Sequence, residues 1–234
     1  MEIEPVAYFR SPFNTKFGIP RQSGLAPQLS GRIVLTPTFR HAEAVRGLEG
    51  FDYLWLIWEF SANNSNKTLH SSDRTPGSLT VRPPRLGGNQ RIGVFASRSP
   101  FRPNRLGLSC VALERVEMTA DEGPVIYVGG ADLMDGTPIY DIKPYVAYAD
   151  SRSGARSGFV DDHNWQSISV VMTEELKQNF TPRELKALEQ VLALDPRPQY
   201  HNEPERVYGM PFAGYDVHFQ VSEGVCKVVG VKKS

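Results

Sequence analysis

The sequence has little of what stabilises secreted or membrane proteins. Its 234 residues include two cysteines, Cys110 and Cys226, and both lie in apolar runs. A disulfide framework needs more cysteines and an oxidising compartment, so both are predicted to be core thiols. No apolar run approaches membrane-spanning length, and the first residues lack the charged and apolar regions of a signal peptide. We therefore predict a cytoplasmic protein that does not associate with membranes.

The signatures of several common sites are also missing. There is no Gly-x-Gly-x-x-Gly after a strand, no phosphate-binding loop ending in Gly-Lys-Ser/Thr, and no Gly-x-Ser-x-Gly turn. Rossmann, P-loop and serine-hydrolase sites therefore have no support. The five histidines show no metal-ligand spacing with one another or with cysteine, so no metal site is predicted.

Residues 81–109 lack lysine, aspartate and glutamate but contain six arginines, although the whole chain has a formal net charge of +0. Four glycines and four prolines are interleaved with them. Arginine offers a planar fork that binds phosphate or carboxylate through two hydrogen bonds. Residues 1–109 carry a charge of +7 and residues 110–234 a charge of −7. This pattern favours a surface that binds a ligand or nucleic acid over a solvated charged face.

Short runs rich in valine, isoleucine and aromatic residues dominate the first two-thirds of the chain. Bounded by glycine, proline and asparagine, they predict strands at residues 3–9, 31–35, 53–60, 91–97, 108–118 and 124–130. Because no long segments with helical periodicity separate these runs, they favour a mainly β fold with a closed or nearly closed β-barrel over a doubly wound sheet. Residues 39–51 are the exception and predict a short helix ending at Gly47 or Gly50.

The last third of the chain predicts a small α+β domain. Residues 149–164 are rich in glycine and serine and are predicted to be a linker, which leaves domains at residues 1–148 and 165–234. A strand is expected at 165–172. Thr181, Pro182 and Glu184 form a capping box that opens a helix at 182–194. Residues 214–231 alternate around Glu223 and Gly224 and predict a β-hairpin.

Two segments outside the arginine block could carry chemistry. Asp132 and Asp135 follow an apolar strand and precede Gly-Thr-Pro. They could cap a turn by bonding local backbone amides, or one could bind a ribose hydroxyl or amine while the other accepts a proton. Residues 195–200 could be a proline stop after the helix, or a rigid arm that presents Arg197 and Tyr200 to RNA.

Taken together, residues 81–88, 95–104, 132–138, 141–145 and 195–200 resemble the TrmO family, and the similarity runs over nearly the whole chain. The resemblance implies a small β-barrel methyltransferase that uses S-adenosylmethionine and is unrelated to the Rossmann type. The family's substrate is the adenosine next to the anticodon of threonine tRNA, already carrying a threonylcarbamoyl group on N6. The resemblance also implies a homodimer, with a donor site completed near the subunit interface.

The resemblance further implies which residues bind the methyl donor, namely Pro20, Arg21, Gln22, Arg98, Leu108 and the loop Asp132, Leu133, Met134 and Asp135. Ser61 and Ala62 also match donor-binding positions, but the best-known relatives have His-Gln there. The change is harmless if the pair binds through backbone groups, and it alters the site if the pair binds through side chains.

An in-line transfer from a sulfonium needs placement more than covalent help. Asp135 is the hypothesised general base, because a carboxylate near N6 could remove the proton that the carbonyl substituent makes acidic. Asp132 and Arg98 are assigned to the donor. The predicted contacts to the tRNA anticodon stem-loop are Arg82, Arg85, Arg102, Arg105, Lys143, Tyr145, Arg197 and Tyr200. The alternatives are a non-catalytic barrel that binds donor and RNA, and a methyltransferase that acts on a small molecule.

Overall fold

The computed structural model describes residues 2–63, 79–83, 86, 90–162, 166–198 and 203–234. Two predicted RNA contacts, Arg85 and Tyr200, lie outside these ranges. The described chain is mainly β, as predicted, with twelve strands in three sheets. In chain order its strands and α-helices are β1 (Ala7–Arg10), β2 (Ser30–Leu35), β3 (Tyr53–Glu59), β4 (Thr80–Val81), β5 (Ile92–Gly93), β6 (Leu106–Thr119), β7 (Gly123–Gly129), β8 (Pro138–Pro144), α1 (Ala147–Asp150), β9 (Ser169–Val171), α2 (Glu174–Lys177), α3 (Pro182–Ala193), β10 (Tyr208–Phe212), β11 (Tyr215–Ser222) and β12 (Val225–Lys233).

Six antiparallel strands form a closed barrel in the order β1-β2-β7-β6-β3-β8. The order closes because β1 pairs with β2 along one edge and with β8 along the other. In β3 the side chains alternate, so that Leu54, Leu56 and Trp58 are buried while the residues between them are not. This period of two follows from the pleat of the strand and gives the barrel an apolar interior.

The C-terminal residues form a four-stranded sheet in the order β10-β11-β12-β9, in which β9 runs parallel to β12. The predicted capping box is confirmed, because Thr181 accepts from the amide of Glu184 and the Glu184 side chain accepts from the amide of Thr181. Helix α3 buries the face formed by Ala187, Leu188, Val191 and Leu192. The predicted hairpin is also confirmed, since β11 and β12 pair on either side of Glu223–Gly224.

Several local predictions were wrong. In place of one short helix over residues 39–51 there are three 3-10 helices, at Pro37–Phe39, Ala42–Val45 and Leu48–Gly50, although the last of them ends at Gly50, one of the two predicted ends. The strand predicted at 91–97 is reduced to β5, and a 3-10 turn at Val94–Ala96 follows it. Apolar composition there reflects packing of Val94, not strand pairing. Strands β4, β8 and β10 were not predicted.

The segment between β1 and β2 packs against the C-terminal sheet as well as the barrel. Phe13, Ala26 and Leu29 are buried in the same apolar cluster as α3 and β10–β12. The amide of Ala213 donates to the carbonyl of Pro12 at 3.0 Å, and Arg183 of α3 forms an ion pair with Glu114 of β6. The C-terminal sheet therefore braces a loop of the barrel.

The two cysteines are free, and they differ in burial. Cys226 is buried in the C-terminal core as predicted, and burial raises the pKa of its thiol to about 12. Cys110 is only half-buried on β6. Among the helices that the structure describes, none has both the length and the apolar character needed to cross a bilayer.

Gly31 of β2 is a position where the barrel core leaves no room for a side chain. A Cβ there would lie 2.1 Å from Cζ of the buried Phe9. We expect Gly31→Ala to lower the free energy of unfolding by about 1–3 kcal/mol, because the ring must leave its packed position. Urea unfolding followed by fluorescence measures this loss.

Gly50→Ala is the matched control, because no described atom lies within 4 Å of the added Cβ and no unusual φ is required. Its unfolding midpoint should stay close to that of the parent protein. Equal midpoints for both variants would contradict the packing argument at Gly31.

Candidate functional site

The carboxylate of Asp132, just after β7, is an enclosed charged group of the barrel. As a whole residue Asp132 is half-buried, but its carboxyl group is surrounded by protein atoms. The hydroxyl of Ser109, on β6, donates to Oδ1 of Asp132 at 2.5 Å. The indole Nε1–H of Trp58, on β3, donates to Oγ of Ser109 at 2.9 Å. A chain of hydrogen bonds thus runs from the barrel interior to the carboxylate.

Two further segments converge on Asp132. The backbone N–H of Ser23 donates to the carboxylate, and the guanidinium charge of Arg98 acts on it. Arg98 also donates from Nη1 to Oε1 of Gln22 at 2.5 Å, and Gln22 donates to the carbonyl of Arg21. The turn at residues 20–23, the arginine block and the loop after β7 therefore meet at one place.

The environment of Asp132 acts on its protonation in two directions. Burial is the larger effect and raises the pKa of the carboxyl above its ordinary value, because the anion loses contact with water. The hydrogen bond from Ser109, backbone amides and the charge of Arg98 lower the pKa and offset part of that rise. The site therefore places the carboxyl group of Asp132 near the guanidinium of Arg98, and neutral hydrogen-bond donors hold the carboxyl group in place.

Asp135 belongs to a second group of contacts. Its Oδ1 accepts from the amide of Ser11 at 3.0 Å, and its Oδ2 lies 3.6 Å from Nη1 of Arg10. These are bonds to β1 and its end, not to local turn amides. The Asp135 side chain is 39% exposed. It borders a cavity of about 350 Å³ whose lining residues are Arg10, Ser11, Pro12, Ser30, Gly31, Arg32, Tyr127 and Asp135.

The other residues predicted to bind the methyl donor differ in which of their groups are accessible to a ligand. Pro20 is buried and Arg21 is exposed at the turn that Gln22 links to Arg98. The side chain of Leu133 is buried in the barrel core, and the carbonyl of Met134 accepts from the hydroxyl of Thr137 at 2.7 Å. Only backbone groups of Leu133 could therefore reach a ligand.

Leu108 and the turn after β3 stand apart from Asp132. Leu108 is 58% exposed, on the face of β6 opposite to the buried Ser109. Ser61 and Ala62 are half-buried in the turn after β3, where the amide of Ser61 donates to the carbonyl of Glu59 at 2.8 Å. Lys16 donates to Asn63 and so links this turn to the chain before residue 20.

The predicted RNA contacts have diverse environments. Arg82 is exposed after β4, and the Lys143 side chain is exposed on β8. The ring of Tyr145 packs edge-on against Tyr53, with centroids 6.0 Å apart. Arg102 donates to the carbonyl of Ser97 at 2.8 Å.

Arg105 and Arg197 are held by carboxylates. Arg105 has a φ of 52° and pairs with Glu59 at 2.9 Å. Arg197 is only 17% exposed, makes two 2.8 Å hydrogen bonds to the carboxylate of Asp195 and donates to the carbonyl of Val221. These bonds anchor the chain after α3 to β11, so the geometry does not support the free RNA-binding arm predicted for Arg197.

Sequence reasoning missed the two neutral members of the Asp132 site, Ser109 and Trp58. Each was included in an apolar strand and carried no motif of its own. Ser109 is one of two buried polar residues of the described chain, the other being Thr137. A serine on the inward-facing positions of a barrel strand is the signal that could have drawn attention to it.

Comparison with known proteins identifies the family of the chain. Residues 8–151 match the model of the tRNA-methyltransferase O N-terminal domain, and residues 166–234 match that of the TrmO C-terminal domain. The chain therefore belongs to the TrmO family.

Individual relatives are similar over most of their length. A putative S-adenosylmethionine-dependent methyltransferase, RcsF, of Pseudomonas aeruginosa is 41% identical, covering 93% of this chain and 91% of the relative. The tRNA (adenine(37)-N6)-methyltransferase of Escherichia coli is 36% identical, covering 99% and 97%. A crystal structure of TrmO from P. aeruginosa superposes with a TM-score of 0.77 at 35% identity, covering 100% of this chain and 97% of that one.

Arg98 is expected to bind the methyl donor, since it is the cation beside Asp132. We expect Arg98→Ala to weaken the binding of S-adenosylhomocysteine by at least about tenfold, because a charge-assisted hydrogen bond contributes roughly 1.5–3 kcal/mol. Isothermal titration calorimetry without tRNA measures this affinity. Arg46→Ala is the control, because Arg46 is exposed and pairs with Glu43 in its own 3-10 helix. An unchanged dissociation constant in Arg98→Ala would remove the residue from the site.

Proposed function

We propose that this protein transfers a methyl group from S-adenosylmethionine to N6 of the adenosine next to the anticodon of tRNA, with the threonylcarbamoyl-modified base as its substrate. The observation that carries the proposal is the convergence of Gln22, Arg98 and Asp132, from three distant parts of the chain, in a member of the TrmO family. Relatives named for this reaction support the same assignment.

The residues at Asp132 fit the chemical groups of the donor. S-adenosylmethionine carries a carboxylate, an ammonium, a sulfonium and ribose hydroxyls. Arg98 suits the carboxylate, while the Asp132 carboxylate accepts hydrogen bonds from hydroxyls or the ammonium. The bound donor supplies an electrophilic methyl group. The protein supplies a carboxylate whose burial strengthens its polar contacts, beside an exposed guanidinium.

Asp135 is proposed as the group that takes the N6 proton. Its side chain is part-exposed and borders the cavity of about 350 Å³, so a nucleobase can approach it, whereas the carboxyl of Asp132 is enclosed. The amide of Ser11 and the guanidinium of Arg10 hold the carboxylate in place. A fixed base within hydrogen-bond reach of the acceptor nitrogen is what general base catalysis requires.

The tRNA is proposed to lie across exposed cations around this region. Arg82 and Lys143 suit phosphate contacts because their side chains are exposed, and the ion pair of Lys143 with Asp141 is a long one, at 3.9 Å. Arg85 and Tyr200 remain predictions that lie outside the described residues. Arg102 and Arg105 already bond protein oxygens and would have to share those bonds with RNA.

We further propose two domains, at residues 1–148 and 165–234, and a homodimer. The barrel and the C-terminal sheet each have an apolar core of their own, which supports the division. The exposed Leu108 and Tyr53 lie on the outer faces of neighbouring strands, which supports a second copy packing there.

The proposed reaction is tested with tRNA from cells that lack this protein. We expect radiolabelled methyl from S-adenosylmethionine to enter that tRNA, and nucleoside mass spectrometry to find it on N6 of threonylcarbamoyladenosine. The matched control is tRNA made by transcription in vitro, which lacks the modification and should gain no label. Donor binding without transfer to either tRNA would indicate a non-catalytic barrel instead.

The role of Asp135 makes a separate prediction. We expect Asp135→Asn to lower the single-turnover rate of methyl transfer by about 10²–10⁴-fold, the usual contribution of a general base, while donor affinity changes little. Rapid quenching with saturating donor and tRNA measures the rate. An unchanged rate with a lowered unfolding midpoint would show that the carboxylate serves only to anchor its loop to β1.

A further inference from the structure

Ser109 and Trp58 are connected to the candidate site for the methyl donor by hydrogen bonds that lead to Asp132. Both residues lie on barrel strands, far in sequence from the turn at residues 20–23. Both are almost fully enclosed, with 1% of Ser109 and 6% of Trp58 exposed. Leu56, not Trp58, is the β3 residue directly opposite Ser109, and Trp58 faces Gly107. The indole therefore has to reach along the barrel to meet the serine hydroxyl.

Gly107 makes that reach possible. A Cβ at Gly107 would lie 2.3 Å from Cε2 of Trp58, so the indole occupies the space that any side chain there would fill. Phe60 packs edge-on against the same indole, with ring centroids 4.4 Å apart. The position of the Trp58 N–H is thus fixed by packing on two sides before it meets Ser109.

The direction of the hydrogen bonds follows from the groups involved. An indole N–H can only donate, so Oγ of Ser109 accepts from Trp58. The single hydroxyl proton of Ser109 then remains for Asp132, whose Oδ1 lies 2.5 Å away. The Ser109 proton can be used only if Asp132 accepts it, so the chain favours an ionised acceptor at its end and one orientation of the carboxyl group.

We propose that Trp58 and Ser109 are positioning residues for the methyl donor, which hold the Asp132 carboxylate as an oriented anion. The inference rests on the proposed function, in which Asp132 binds the donor. Neither residue is expected to touch the donor or the reacting atoms. They act on the donor only through Asp132. Both lie in the barrel interior and not in the loops proposed to contact the ligand.

The pH dependence of donor binding distinguishes this role from a purely structural one. Burial raises the pKa of Asp132, and the Ser109 hydrogen bond lowers it, so removing the hydroxyl leaves the pKa higher still. If binding of the methyl donor needs the ionised Asp132 carboxylate, then on acidification the variant without the hydroxyl loses affinity at a higher pH than the parent protein does. Arg98 supplies the positive charge that acts on Asp132, while the Ser109 hydroxyl and the Ser23 amide are neutral hydrogen-bond donors.

The experiment measures S-adenosylhomocysteine affinity by calorimetry from pH 5 to pH 9 for the parent protein and Ser109→Ala. We expect about tenfold weaker binding near neutral pH and a loss of affinity that begins about one pH unit higher. Comparing each variant with the parent protein cancels the titration of the ligand itself. Trp58→Phe, which keeps an aromatic ring but removes the N–H, should shift the profile in the same direction by less.

Two controls separate positioning from general destabilisation. Val128→Ala creates a cavity in the same barrel core and should lower the unfolding midpoint without moving the pH profile. In the Asp132→Asn background, Ser109→Ala should no longer shift the profile, because the group through which it acts is gone.

The possible outcomes distinguish a failure of the proposed function from a failure of the positioning role. A parent protein that binds no donor at any pH would overturn the proposed function itself. Donor binding and methyl transfer by the parent, with an unshifted profile in both Ser109→Ala and Trp58→Phe, would overturn the positioning role alone. A shift of equal size in Val128→Ala, or one that persists in the Asp132→Asn background, would also overturn it.

Discussion

The structure around the candidate site depends on the cost of enclosing one carboxylate. An isolated ionised carboxyl group is strongly disfavoured inside a protein. The buried carboxylate of Asp132 is therefore stable only where hydrogen-bond donors and a cation surround it. The barrel supplies those donors from β6 and, through Ser109, from β3. The loops supply the rest, from Ser23 and Arg98. Satisfying one buried charge thus aligns three loops and two strands.

The same requirement explains why two aspartates of one short loop have different environments. Asp132 lies three residues after the end of β7, and its carboxyl group is surrounded by protein atoms. Asp135, three residues on, lies at the edge of a cavity and is held by Arg10 and Ser11 of the first strand region. Environment, not residue type, therefore distinguishes the two carboxylates, and the different roles proposed for them rest on that difference.

Sequence patterns predicted the strands best where alternation was long and the turns were marked. β3, β6, β7 and the β11–β12 hairpin follow the predicted runs, and the capping box at Thr181 begins α3 as expected. β8 was missed because residues 138–144 mix proline, aspartate and lysine with apolar residues, and pairing with β1 and β3 overrides that composition. At 91–97 the apolar run was long enough, but within the described part of the chain its pairing is limited to two residues with β4.

The site was predictable in its charged members and not in its neutral ones. Gln22, Arg98 and Asp132 stood out through motifs and family resemblance, and their contacts bring them together. Ser109 became visible only once β6 was placed against β3, since a lone serine in an apolar strand carries no pattern. Arg197 shows the opposite error, because an arginine beside two prolines suggests an exposed arm until its Asp195 partner is known.

The bracing of residues 12–29 by the C-terminal sheet has a consequence for how the chain is assembled. Phe13 and Leu29 flank the turn that carries Gln22, and both are buried against residues from the far end of the chain. A barrel made alone would leave these side chains in water and the turn without its support. During synthesis, the candidate donor site can therefore reach its final form only after the last strands have been made, so the end of the chain governs when its first loop becomes functional.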